Sequence, residues 1–112
     1  ATLPNLRELS IGGTKLTDES LKDLARMPAL HTLWINSTPI TDAGLKHLSA
    51  AKSLRFLDLD NTAITDAGLK ELAQFKNLHY VSVYQTKVTD AGVQELRRAL
   101  PFCAVNRHPW IP

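Results

Sequence analysis

A single cysteine, Cys103, stands in 112 residues, so no disulfide can form within the chain. The paired cysteines that bracket many secreted repeat proteins are therefore missing, which favours an intracellular or bacterial setting. Apolar runs of membrane-spanning length are also missing, so no membrane partner is expected, and Ala1–Asn5 form no basic segment followed by an apolar stretch, an end that is equally compatible with a signal peptide already removed. Net charge is only +2, with Lys22, Lys46, Lys70, Arg97 and Arg98 interspersed with Asp23, Glu71 and Glu95. That pattern gives no single-sign stripe to follow a phosphate backbone, and nucleic acid is not an expected partner. An apolar fraction of 44% with 21% charged residues excludes disorder. One folded, elongated domain over 1–112, monomeric and without a cofactor, is the expectation.

The chain is dominated by a pattern that returns four times at a 24-residue interval. Its columns are Leu9/Leu33/Leu57/Val81, Ile11/Ile35/Leu59/Val83, Leu16/Ile40/Ile64/Val88, Thr17/Thr41/Thr65/Thr89 and Asp18/Asp42/Asp66/Asp90. The repeats run near 3–26, 27–50, 51–74 and 75–98, and residues 99–112 form a C-terminal cap. In the cap, Phe102 falls in the Leu6 column, Val105 in the Leu9 column and Arg107 in the Ile11 column, before His108, Pro109, Trp110 and Pro112.

Each repeat opens with Leu-x-x-Leu-x-Ile/Leu, whose period-two alternation predicts strands near 8–11, 32–35, 56–59 and 80–83, with a short fifth near 104–106. Thr14, Thr38, Thr62 and Thr86 are expected to turn inward and satisfy loop backbone, stacking from repeat to repeat. The following Thr-Asp pair predicts helix starts, with Thr17, Thr41, Thr65 and Thr89 as N-caps and the aspartates on the first turn, where the helix dipole favours negative charge. Gly44, Gly68 and Gly92 inside that turn each cost about 1 kcal/mol relative to alanine, which suggests close approach to a neighbouring backbone.

The pattern Leu-x-x-Leu-x-Leu-x-x-Thr-x-Ile-Thr-Asp-x-Gly-Leu-x-x-Leu resembles a leucine-rich repeat of the helical type, as in bacterial arrays and the substrate-binding halves of F-box proteins. The threonine of the Thr14 column departs from the commonest form, where asparagine or cysteine stands. The resemblance covers residues 3 to about 106 and implies an α/β, right-handed solenoid, with a parallel sheet on its concave side and helices on its convex side. It implies no single activity.

Function is then sought where the columns diverge. On the strands, the residues flanking the buried pair run Glu8, Thr32, Phe56, Tyr80; then Ser10, Trp34, Asp58, Ser82; then Gly12, Asn36, Asp60, Tyr84. Four of the seven aromatic residues, Trp34, Phe56, Tyr80 and Tyr84, share these columns. Rings on neighbouring strands about 4.8 Å apart can form one patch, with Arg55, His31 and His79 at its edge. Trp, Tyr and Arg dominate interface hot spots, so the expectation is a non-catalytic scaffold that binds a protein or peptide there through Trp34, Phe56, Asp58, Asp60, Tyr80, Tyr84, Arg55 and His31. Asp58 and Asp60 with a nearby histidine could describe a metal or acid/base pair, but an open sheet with no paired nucleophile favours solvated acids that neutralise Arg55 or meet a partner's cation. The alternatives are a structural spacer or fragment of a larger protein, and the substrate-recognition part of a ubiquitin ligase adaptor.

Overall fold

The computed structural model describes residues 5–109, so the predicted cap residues Trp110 to Pro112 lie outside the described residues, as do Ala1–Pro4. Alternating buried and outward positions give five three-residue strands: β1 Glu8–Ser10, β2 Thr32–Trp34, β3 Phe56–Asp58, β4 Tyr80–Ser82 and β5 Ala104–Asn106. Between them lie the helices α1 Ser20–Leu24, α2 Asp42–Leu48, α3 Asp66–Leu72 and α4 Asp90–Ala99. The strands pair in parallel in the order β1-β2-β3-β4-β5, each residue opposite the one 24 positions later, as in Leu9↔Leu33 and Leu33↔Leu57. A parallel sheet requires a crossover between neighbours, and here each crossover is the helix of one repeat.

The predicted apolar columns form one continuous core. Leu33, Leu57 and Val81 are fully buried, as are Ile40, Ile64, Leu45, Leu48, Leu72 and Phe75, each contributing about 1.5–3 kcal/mol. Leu9, Ile11 and Leu16 in the first repeat are only half-buried, because β1 is the outer strand of the sheet. All four threonines of the Thr14 column donate to a carbonyl three residues back, at 2.7 Å in each case. These bonds satisfy loop backbone within each repeat, as expected of the column.

Three sequence expectations about boundaries and burial need correction. Helix α1 starts at Ser20 rather than Thr17, which lies in a preceding turn. Phe102 is 91% exposed, although its column is otherwise core. Helix α4 runs on to Ala99 where α3 ends at Leu72, so Leu100 and Cys103 take the buried places one residue later than the columns predict.

A fourth correction concerns the Thr-Asp pair. Thr41, Thr65 and Thr89 do stand immediately before α2, α3 and α4 with extended backbone, but Thr41 makes no cap bond with its side chain. Each hydroxyl donates to the aspartate of the preceding repeat. Thr41 Oγ1 lies 2.6 Å from Asp18 Oδ2, and Thr65 and Thr89 lie 2.5 Å from Asp42 and Asp66. The backbone N–H of the same threonine donates to the other carboxylate oxygen, at 2.7–2.8 Å. Thr65 and Thr89 also accept longer cap bonds from Ala67 N and Gly92 N.

This staple explains the glycine column. A methyl group at Gly44 would stand 2.5 Å from Asp18 Oδ1, and one at Gly68 or Gly92 would meet Asp42 or Asp66 closer still. The close approach is to a carboxylate rather than to backbone. Ser20, the exception in that column, supplies the missing acceptor itself, with its Oγ 3.4 Å from Thr17 N and 3.2 Å from Thr17 Oγ1. At the other end Asp90 pairs with Arg107, whose guanidinium also donates to Val88 O at 3.2 Å.

Candidate functional site

The open face of the sheet is the face that the helices leave uncovered. Thr32, Trp34, Phe56 and Tyr80 are half-buried there, while Leu33, Leu57 and Val81 point the other way into the core. Parallel register places Thr32, Phe56 and Tyr80 side by side on β2, β3 and β4, with Trp34 beside Asp58 and Ser82 in the next column. Phe56 stacks on Tyr80 with centroids 4.8 Å apart and planes 20° apart, and Trp34 tilts against Phe56 at 5.4 Å. Offset and tilted pairs of this kind add about 0.5–1.5 kcal/mol beyond their buried area. Three of the four predicted rings are thus one contiguous cluster across three strands. Tyr84 is half-buried two residues beyond β4 and makes no ring contact with the others.

The two predicted acids behave differently from solvated carboxylates. Asp58 is 4% exposed and accepts from the N–H of Asp60 at 2.9 Å. Burial pushes its carboxyl above the ordinary value, the Asp60 N–H opposes that, and the Asp60 charge reinforces it. Asp60 is half-buried and its Oδ1 accepts from Ser82 Oγ at 2.6 Å and from Tyr84 N at 2.8 Å. Asn106 Nδ2 then donates to Ser82 Oγ at 3.0 Å, extending the network to β5. These acids organise the sheet's polar column, and among the described residues neither forms an ion pair with Arg55.

Arg55 is exposed and His31 half-buried, with His31 Nδ1 2.7 Å from Thr32 Oγ1. Both lie just ahead of the strands. The backbone continues to pair there: His31 N donates to Arg7 O, Arg55 N to His31 O and His79 N to Arg55 O, at 2.8–2.9 Å. Arg7, His31, Arg55 and His79 are therefore one row beside the aromatic column. Arg7 carries the same signal as its counterparts in the 24-residue column, although the aromatic pattern alone does not single it out.

Beyond the other end of the strands, Gly13, Ser37, Asn61 and Gln85 all adopt positive φ, from 54° to 71°. The turn directs the N–H of Gly13, Ser37 and Asn61 to the carbonyls of Asn36, Asp60 and Tyr84 in the next repeat, at 2.8–2.9 Å. Among the described residues, no group of three or more His, Cys, Asp or Glu side chains is placed to hold a metal ion. Cys103 is buried and its thiol is raised to about 11 by that burial, far from the thiolate form that nucleophilic chemistry needs.

Family comparison agrees with this geometry. A family model of two leucine-rich repeat copies matches residues 4–48, and a single leucine-rich repeat model matches residues 50–73, together well over half of the chain. The chain belongs to the leucine-rich repeat family. No curated relative matches this leucine-rich repeat sequence. Among solved structures, internalin C2 of Listeria monocytogenes superposes with a TM-score of 0.74 at 22% identity, over 91% of this chain and 41% of its own. Leiomodin-1 actin-binding site 2 gives 0.69 at 17% identity, over 96% of this chain and 73% of its own. The Leptospira interrogans leucine-rich repeat protein LIC12759 gives 0.53 at 19% identity, over 92% and 37%. The chain thus spans about two-fifths of the length of internalin C2. At these identities the likeness is one of fold, an α/β leucine-rich repeat solenoid.

Proposed function

We propose that residues 1–112 form one non-catalytic interaction domain that holds a protein or peptide on the open face of its sheet. The observation that supports this most is the Trp34–Phe56–Tyr80 cluster, three half-buried rings in contact on a sheet whose other face is a fully buried core. A contiguous ring cluster on a rigid surface supplies area at little cost in conformational entropy, which is the composition of interface hot spots. The Asp60–Ser82–Asn106 network fixes the floor beside it. Leiomodin-1's actin-binding site 2 uses the same fold for a protein partner, in keeping with this reading.

A pull-down with the intact chain and with a Trp34→Ala/Tyr80→Ala variant tests it. Capture of a protein by the intact chain, lost by about tenfold or more in a variant that keeps its circular dichroism, is the expected result. Capture that is equal for the two chains would refute the assignment of the open face.

A further inference from the structure

Although charge looks interspersed along the sequence, the fold gives one edge a single sign. The three segments leading from helix to strand, 25–31, 49–55 and 73–79, carry Arg26, Lys52, Arg55 and Lys76 with His31 and His79, and no carboxylate. The opposite edge is mixed, with Asp18, Glu19, Asp42, Asp60, Asp66 and Asp90 beside Lys15, Lys87 and Arg107. On the first edge, the backbone-paired row Arg7–His31–Arg55–His79 stands next to the Phe56–Tyr80 column. Arg7, Arg55, Lys52 and Lys76 are exposed and form no ion pair among the described residues.

On the reading of the open face given above, on which this inference rests, we propose that the occupant is an acidic amphipathic helix of a partner protein. It lies along the solenoid with its carboxylates toward Arg7, His31, Arg55 and His79 and its apolar stripe over Trp34, Phe56 and Tyr80. The dimensions suit a helix. Three-residue strands make the sheet about 10 Å wide, one helix diameter. Strands recur about every 4.8 Å, against a helix pitch of about 5.4 Å, so each turn can bring one carboxylate opposite one residue of the row. Charge complementarity along such a row steers association and fixes orientation. Arg7, His31, Arg55 and His79 lead into β1, β2, β3 and β4, so the helix lies over those four strands, with Glu8, exposed on β1, the carboxylate beside the end of the row. A single-stranded nucleic acid fits less well. Phe56 and Tyr80 already stack on each other and Trp34 tilts against Phe56, so the rings are engaged with one another instead of spaced to receive bases between them.

The test measures fluorescence anisotropy of labelled helical peptides of about 18 residues, five turns, each with one leucine stripe and a flanking row of glutamate, glutamine or lysine. Oligothymidylate serves as a fourth probe. The intact chain should bind the glutamate peptide at least about tenfold more tightly than the lysine peptide, with affinity falling as salt rises. Arg7→Glu/Arg55→Glu should lower that affinity about tenfold or more, with the milder Arg55→Gln moving it in the same direction, in chains of unchanged circular dichroism. Trp34→Ala/Tyr80→Ala should weaken the glutamate and glutamine peptides alike. If only the Trp34/Tyr80 change matters, the acidic partner is wrong and the open face stands. If the glutamate peptide binds and neither pair matters, both readings fail. No binding of the glutamate peptide, or tighter binding of oligothymidylate than of that peptide, overturns the acidic helix.

Discussion

Asp42 of the second repeat accepts both the backbone N–H and the hydroxyl of Thr65 in the third, at 2.8 and 2.5 Å. The same two-pronged bond joins Asp18 to Thr41 and Asp66 to Thr89, so a charged acceptor pins the start of each later helix to the repeat before it. Charge-assisted bonds of this type contribute about 1.5–3 kcal/mol. Stability in a solenoid is carried by such nearest-neighbour contacts, so the staple sets how cooperatively the repeats unfold.

Asp66 and Gly92 give the cleanest test of the staple, because the three atoms nearest to a methyl group at Gly92 all belong to Asp66. Alanine normally improves a helix over glycine by about 1 kcal/mol, yet Gly92→Ala should destabilise this chain. In an Asp66→Ala background the same change should become neutral or stabilising, a coupling of about 1 kcal/mol or more in a urea double-mutant cycle. Asp66→Ala alone should cost about 1–3 kcal/mol. The Thr89 hydroxyl and N–H hold the Asp66 carboxyl below its ordinary 3.8, so this stabilisation is present above that pH and is lost as pH falls through the lowered value.

Asp58 should behave in the opposite sense. Its carboxyl is raised by burial, so the stabilisation attached to its protonated form is complete below 3.8 and is lost as pH rises through the raised value. An asparagine in its place would mimic the neutral form at every pH while keeping an oxygen for the Asp60 N–H. Asp58→Asn should therefore raise the melting temperature at pH 7, and the gain should vanish below about pH 3.8. A gain independent of pH would show that desolvation of the charge is not the cause.

The positive-φ turns predict a pair of opposite effects. A methyl group added at Gly13 would have no neighbouring atom within 4 Å, so Gly13→Ala can act only through backbone conformation and should cost about 1 kcal/mol. Gln85, at φ 56°, already carries that cost, and Gln85→Gly should gain about 0.5 kcal/mol. Urea midpoints that move the same way for both would contradict the account.

How much of this was legible follows from the range of each interaction. The strands and the core were, since Leu33, Leu57 and Val81 repeat a period-two pattern that only one buried sheet face explains. The Asp–Thr staple was not, because it spans 23 residues and a local capping rule assigns the same threonine hydroxyl to its own helix. A signal did exist: glycine recurs in the three repeats that follow an aspartate, and Ser20 stands in the one that does not. Phe102 misled because column arithmetic cannot register the longer α4. Of the site, Trp34, Phe56 and Tyr80 came together as their columns required, whereas the burial of Asp58 depends on packing that alternation alone does not encode.

The most direct test of the central claim is site-specific photo-cross-linking to a partner captured by the intact chain. With a benzophenone side chain at Thr32, beside Phe56 on the open face, the partner should be cross-linked. The same group at Lys70, exposed on α3, should leave it free. Cross-linking from Lys70 and none from Thr32 would place the partner on the helical side and contradict the account.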